Sequence, residues 1–106
     1  MSVIVTLTMA GESDALEQYA GANQDAMQQI VEQAKSHGLI AHRFYASSDG
    51  QLMVVDEWPD EQSFQSFFEQ SMDRIGPLMQ AAGVEGPPQP AFWRKLETHD
   101  EVGWED

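Results

Sequence analysis

The 106-residue chain has no cysteine, which removes disulfides, thiol nucleophiles and cysteine-ligated zinc sites together. Basic residues are scarce: 5 Lys and Arg stand against 18 Asp and Glu, a formal net charge of −13. Binding to nucleic acid depends on Lys and Arg displacing counterions from phosphates, and anionic lipid surfaces call for similar basic clusters, so neither nucleic acid nor membrane is expected as a partner. No apolar run is long enough to span a bilayer, and Met1-Ser2-Val3-Ile4-Val5 lacks the regions of a secretion signal, so a cytoplasmic protein is expected. His37, His42 and His99 are widely spaced with no i, i+4 pair, so no metal site is expected. No Gly-x-Ser-x-Gly elbow occurs, and no glycine-rich loop follows a strand as phosphate or dinucleotide binding requires, so no cofactor is expected either.

What is present can fold, because 42% apolar residues exceed what an acidic disordered segment carries. Val3 to Met9 alternates and is rich in β-branched residues, the mark of a strand. From Asp14 the period becomes helical: Leu16, Tyr19, Ala20, Asn23, Met27, Ile30, Val31 and Ala34 share one face of a long amphipathic helix. Asp14 with Glu17 can form a capping box, and Lys35, His37 and Gly38 mark its end. Ile40 to Ser47 and Gln51 to Trp58 read as a hairpin turned at Asp49-Gly50. A two-residue loop sets Arg43 opposite Asp56 and His42 opposite Glu57, two opposite-charge pairs. A four-residue loop, Ser47 to Gly50, would lose both, so the tight turn is preferred. Both registers put Ala41, Arg43, Tyr45, Val54, Asp56 and Trp58 on one face, and Ile40, His42, Phe44, Met53, Val55 and Glu57 on the other.

Pro59 ends the hairpin and Asp60 can cap a helix whose apolar face is Phe64, Phe67, Phe68, Met72, Ile75 and Met79. Gly76-Pro77 is expected to kink or restart it, with a shorter piece ending at Gly83. After an extended leader, Gly86 to Pro90, Ala91 to Glu97 reads as the fourth strand. Residues 1 to 97 are thus expected to form one α+β domain, and 98 to 106 an acidic tail with Trp104 placed to dock on a partner subunit. The order βαββαβ is the ferredoxin-like arrangement, two helices covering one face of a four-stranded antiparallel sheet. Large apolar residues on both hairpin faces leave the other sheet face in need of cover, which a second copy packed sheet to sheet would supply. A monomer with a partly apolar open face is the alternative.

The stretch Asp56-Glu57-Trp58-Pro59-Asp60-Glu61-Gln62-Ser63-Phe64, a Trp ending a strand before an acidic helix start and an aromatic anchor, resembles the corresponding stretch of the dimeric α+β barrel superfamily. That superfamily includes antibiotic-biosynthesis-monooxygenase-like domains. The resemblance covers residues 3 to 97 as an element order. It implies a homodimeric barrel of two sheets, helices outside, and a pocket between the sheet and helices of each subunit. Members include cofactor-independent oxygenases of polycyclic phenols, heme-degrading oxygenases, isomerases and cyclases, so fold alone does not fix function. The heme-degrading pattern also has an Asn on the first strand and a His in the second helical region, and this chain has neither.

Candidate site residues follow from that placement. Arg43 could stabilise negative charge on a substrate oxygen, with Asn23 or Tyr45 supplying a directing hydrogen bond. Trp58, Asp56, Phe64, Phe68 and Met72 would hold a small apolar or aromatic ligand. Each has a plainer role beside it: Trp58 as a core residue, Arg43 and Asp56 as a cross-strand ion pair, Tyr45 as a half-buried sheet tyrosine. Asn23, the one asparagine, falls on an apolar stripe, where a buried amide must find partners in backbone, water or a ligand. His42 with Glu57 is a second acid–base pair, expected on the face away from Trp58. The reading is a cofactor-independent monooxygenase or isomerase of a cyclic or phenolic metabolite, or else a non-catalytic ligand-binding or structural dimer. A pocket too small for a ring system, or plugged by Met and Phe, favours the second.

Overall fold

The computed structural model describes residues 2–103. Trp104 therefore lies outside the described residues. Four strands, β1 (Val3–Ala10), β2 (Ala41–Ala46), β3 (Gln51–Trp58) and β4 (Glu85–Trp93), form one antiparallel sheet in the order β2-β3-β1-β4. Helices α1 (Ser13–Ala22), α2 (Gln24–Ser36), α3 (Glu61–Gln70) and α4 (Met72–Ala81) supply the connections. The expected ferredoxin-like α+β architecture is present, with each helical connection broken in two.

The core follows from strand alternation. Val5, Leu7 and Met9 of β1 face the same side as Leu52, Val54 and Trp58 of β3, and on that side they meet Leu16, Ala34, Phe64, Phe67 and Leu78 from the helices. Each large side chain so buried contributes about 1.5–3 kcal/mol of transfer free energy, which sets the register of β1 against β3. The other sheet face bears Tyr45, 45% exposed, and Trp93, 56% exposed, whose indole donates to Thr6 Oγ1 at 2.9 Å.

The hairpin differs from both registers expected of it. Ala46 faces Leu52, Phe44 faces Val54 and His42 faces Asp56. Ser47 N–H donates to the Gln51 carbonyl at 2.9 Å, so the loop is Ser48-Asp49-Gly50, three residues, with Gly50 at φ +89. A type I turn closed by a left-handed residue gives this loop, and Gly supplies the positive φ without strain. Ser47 Oγ also bonds the Asp49 carboxylate. One residue of slip exchanges the faces of β2: Arg43 and Tyr45 go to the open side, and His42 and Phe44 to the helix side. An exposed cross-strand ion pair is worth about 0.2–1 kcal/mol, less than burying a guanidinium under the helices would cost, so charge pairing was a poor guide to register.

The long first helix is broken at Asn23, whose φ of −132 and ψ of 49 are not helical. Its side-chain Nδ2 donates to the Tyr19 carbonyl at 2.9 Å, and its backbone carbonyl accepts from Met27 N–H at 3.1 Å, so one residue closes α1 and opens α2. The Asp14–Glu17 capping box does not form, because α1 begins at Ser13 and no side chain caps it. Gly38, at φ +105, ends α2 as expected. The second helical region breaks at Ser71, and Pro77 sits inside α4. Both Pro77 and Asp73, the residue that loses its amide partner to the proline ring, are exposed, so water can satisfy the freed carbonyl. Strand β4 starts and ends earlier than expected, taking in the proline run. It is an outer strand, where missing N–H groups are tolerated, and its register against β1 shifts between Thr8 and Ala10, where Gly86 at φ +77 begins a bulge.

Candidate functional site

Strand alternation in the observed register places His42, Asp56 and Trp58 on the helix side of the sheet, two of them on one strand and one directly across from it. Trp58 is 0% exposed and wedged between Phe64, edge-on at 5.9 Å, and Phe67, tilted at 5.4 Å. Its indole Nε1–H donates to Asp56 Oδ2 at 3.1 Å. Asp56 is 6% exposed, and its other oxygen, Oδ1, lies 2.7 Å from His42 Nδ1. Both carboxylate oxygens are thereby engaged, which is how a buried carboxylate is retained without excessive cost. His42 stands at the rim of the sheet, its side chain 28% exposed and edge-on to Phe44 at 5.2 Å.

An ionised carboxylate only accepts, so it fixes the neutral imidazole's proton on Nδ1 and leaves a lone pair on Nε2. Among the described residues Nε2 has no hydrogen-bond partner. His42 and Asp56 border a narrow cavity of about 80 Å³ between sheet and helices, whose other walls are apolar, among them Leu7, Leu52, Val54, Phe64, Phe68 and Met79. Beside it a cleft of about 530 Å³ opens between α4 and the bulged start of β4, lined by Phe64, Phe68, Met72, Met79 and the Gly86-Pro87-Pro88 bulge. Among the described residues no cluster of three His, Cys, Asp or Glu side chains could hold a metal ion.

The residues singled out from sequence separate into three groups. Asp56, Phe64 and Phe68 line the cavity, and Phe64, Phe68 and Met72 line the cleft. Trp58 is sealed in the core and reaches the cavity only through its hydrogen bond to Asp56. Arg43 and Tyr45 lie together on the opposite sheet face, Arg43 Nη1 donating to Tyr45 Oη at 3.3 Å, and Asn23 is engaged in the α1–α2 junction. The residue missed as a partner of Asp56 is His42. The alternation His42-x-Phe44 that faces Asp56 and Val54 was visible in the sequence, but pairing His42 with Glu57 put it on the wrong side.

Neither a family model nor a curated protein matches the sequence. Solved structures do match in three dimensions. A monooxygenase of Streptomyces coelicolor, the product of ActVA-Orf6, solved with nanaomycin D, superposes with a TM-score of 0.69 at 17% identity, over 95% of this chain and 93% of that one. A dimeric ferredoxin-like protein from an uncultured marine organism gives 0.65 at 16%, over 92% and 100%. SnoaB, a cofactor-independent oxygenase from Streptomyces nogalater, solved as a mutant, gives 0.62 at 11%, over 94% and 98%. The fold is the ferredoxin-like α+β one that these structures share. At these identities the likeness is one of fold, a scaffold shared by cofactor-independent oxygenases and by proteins of unassigned activity.

Proposed function

We propose that the protein is a homodimeric, cofactor-independent oxygenase or isomerase of a cyclic or phenolic metabolite, with His42 as the general base. The observation that carries this reading is the His42–Asp56 pair, held from behind by Trp58, on the wall of an otherwise apolar cavity. His42 Nε2 takes the proton of a ring hydroxyl: the O–H bond breaks, an N–H bond forms, and the electron pair stays on the phenolate oxygen. The imidazolium that results is stabilised by Asp56. The electron-rich phenolate is then ready for dioxygen in an oxygenase, or for return of the proton at a ring carbon in an isomerase. Two matched proteins described as oxygenases or monooxygenases support the oxygenase arm, and one described as dimeric supports the homodimer, as do the exposed Tyr45 and Trp93 on the uncovered sheet face.

Ring-carbon deuterium exchange of 1-naphthol in D2O reads the proton step without dioxygen, and oxygen uptake reads the next. Exchange by the native protein and its loss in His42→Gln are expected; equal exchange in both overturns the assignment. Sedimentation velocity tests the dimer, with Tyr45→Glu expected to release monomers. A specific observation favours a second reading, a non-catalytic binding protein. The inner cavity, about 80 Å³, is below the ~150 Å³ that accepts benzene in an apolar core, and Phe68 and Met79 stand between it and the outer cleft as walls of both. Retention of phenolic ligands with neither exchange nor oxygen uptake would establish it.

A further inference from the structure

The inner cavity has the acid–base groups and too little room, whereas the outer cleft has the room and few polar groups. At about 530 Å³ the cleft falls within the ~300–1,000 Å³ of small-molecule sites, and its polar side chain is Gln80. Leu7, Phe64, Phe68, Met79, Val84 and Pro88 belong to the walls of both hollows. Leu7 is fixed in the sheet and Phe64 is buried against Trp58, so neither can yield without opening the core. Phe68 is half-buried, stacked on Phe64 at 5.7 Å, and half-buried Met79 is unbranched and rotates freely. Between them lies the α3–α4 junction at Ser71, 0% exposed, whose Oγ has no partner among the described residues. The junction's backbone is held, Ser71 N–H donating to the Phe68 carbonyl and its own carbonyl accepting from Arg74 and Ile75, so the wall yields by rotation of the Phe68 and Met79 side chains. The opposite wall is stiff, since Pro87 and Pro88 follow Gly86 in the bulge.

We propose that the outer cleft is the seat of the ligand and that Phe68 and Met79 form the specificity-determining wall, yielding to let one edge of the ligand reach His42. The occupant is a neutral, flat ring compound: the cleft walls are apolar, and a net charge of −13 disfavours an anion. The hydroxyl-bearing edge goes inward, because the inner cavity's ionisable groups are His42 and Asp56. The access step rests on the reading of His42 as the base; the seat and the wall do not.

The test uses 2-naphthol and the three-ring 9-phenanthrol as probes, with affinities from calorimetry and His42 ring signals from NMR. Met72 is 45% exposed at the cleft and does not border the inner cavity, so Met72→Trp fills the seat without disturbing the core. It is expected to weaken 2-naphthol by about tenfold or more. Met79→Ala is expected to tighten 9-phenanthrol by about tenfold and to enlarge the shift of the His42 signals on binding. Unchanged 2-naphthol affinity in Met72→Trp, unchanged 9-phenanthrol affinity in Met79→Ala, or no binding of either probe to any variant overturns the proposal. If Met72→Trp blocks binding while His42→Gln leaves deuterium exchange intact, the base assignment fails and the seat stands.

Discussion

Replacing Asp56 separates the structural from the chemical role of its bonds to His42 and Trp58. Asp56→Ala strands Trp58 Nε1–H in a position with 0% exposure, an unsatisfied donor that costs about 1–3 kcal/mol. His42 loses a 2.7 Å bond but, with its side chain 28% exposed, recovers water, which limits that loss to about 1 kcal/mol. The variant should therefore be about 2–4 kcal/mol less stable in urea titrations. Asp56→Asn behaves differently. The amide oxygen must accept from Trp58, since an NH2 group there would face another donor, and this turns the NH2 toward His42. Nδ1 then has to accept, and the imidazole proton moves to Nε2. Stability should fall by about 1 kcal/mol or less, while proton transfer should drop by about 10²–10⁴-fold, because the lone pair no longer faces the ligand. Nitrogen-15 NMR of the His42 ring reads the tautomer directly. A native protein already protonated at Nε2, or an Asp56→Ala variant within about 1 kcal/mol of native, would refute this arrangement.

Trp58→Phe keeps a ring between Phe64 and Phe67 but leaves Asp56 Oδ2 unpaired, and a loss of about 2–3 kcal/mol is expected in the same titrations. Gly21→Ala in α1 adds a methyl that meets no atom beyond its own helix and chain neighbours within 4 Å and should stabilise by about 0.5–1 kcal/mol in thermal melts. Gly38→Ala should destabilise by about 1–2 kcal/mol, since φ is +105 and the new Cβ would sit 3.0 Å from Pro59 Cγ. The Asp60 carboxyl is held below its ordinary range by the backbone N–H and then the side chain of Ser63. A depressed native value means a contribution present at neutral pH and lost as pH falls through that value. Asp60→Asn should flatten the acid limb of stability against pH while leaving α3 formed by circular dichroism.

Period and punctuation told most of the fold, and one residue of loop length withheld the site. The β-branched alternation of β1 and the aromatic stripe of α3 need only local rules, and the observed order β2-β3-β1-β4 is the ferredoxin-like one that follows from two helical crossovers. A hairpin face has parity, however, and parity turns on whether the loop holds an odd or even number of residues. Asp49-Gly50 fits a two-residue turn, and it equally fits the last two positions of a three-residue one, in which Gly50 alone takes the left-handed φ. Nothing local separates these. What does separate them is tertiary: β3 already buries Leu52, Val54 and Trp58, so β2 must offer that side whichever of its faces is less costly to cover. His42-Phe44-Ala46 is easier to cover than Ala41-Arg43-Tyr45, because an imidazole can be neutral and a guanidinium cannot. That comparison could have been made from the sequence. It outweighs the two surface charge pairs that favoured the tight turn, and it leads to Asp56 meeting His42, a partner that can carry a proton, in place of Arg43, a partner that cannot give one up.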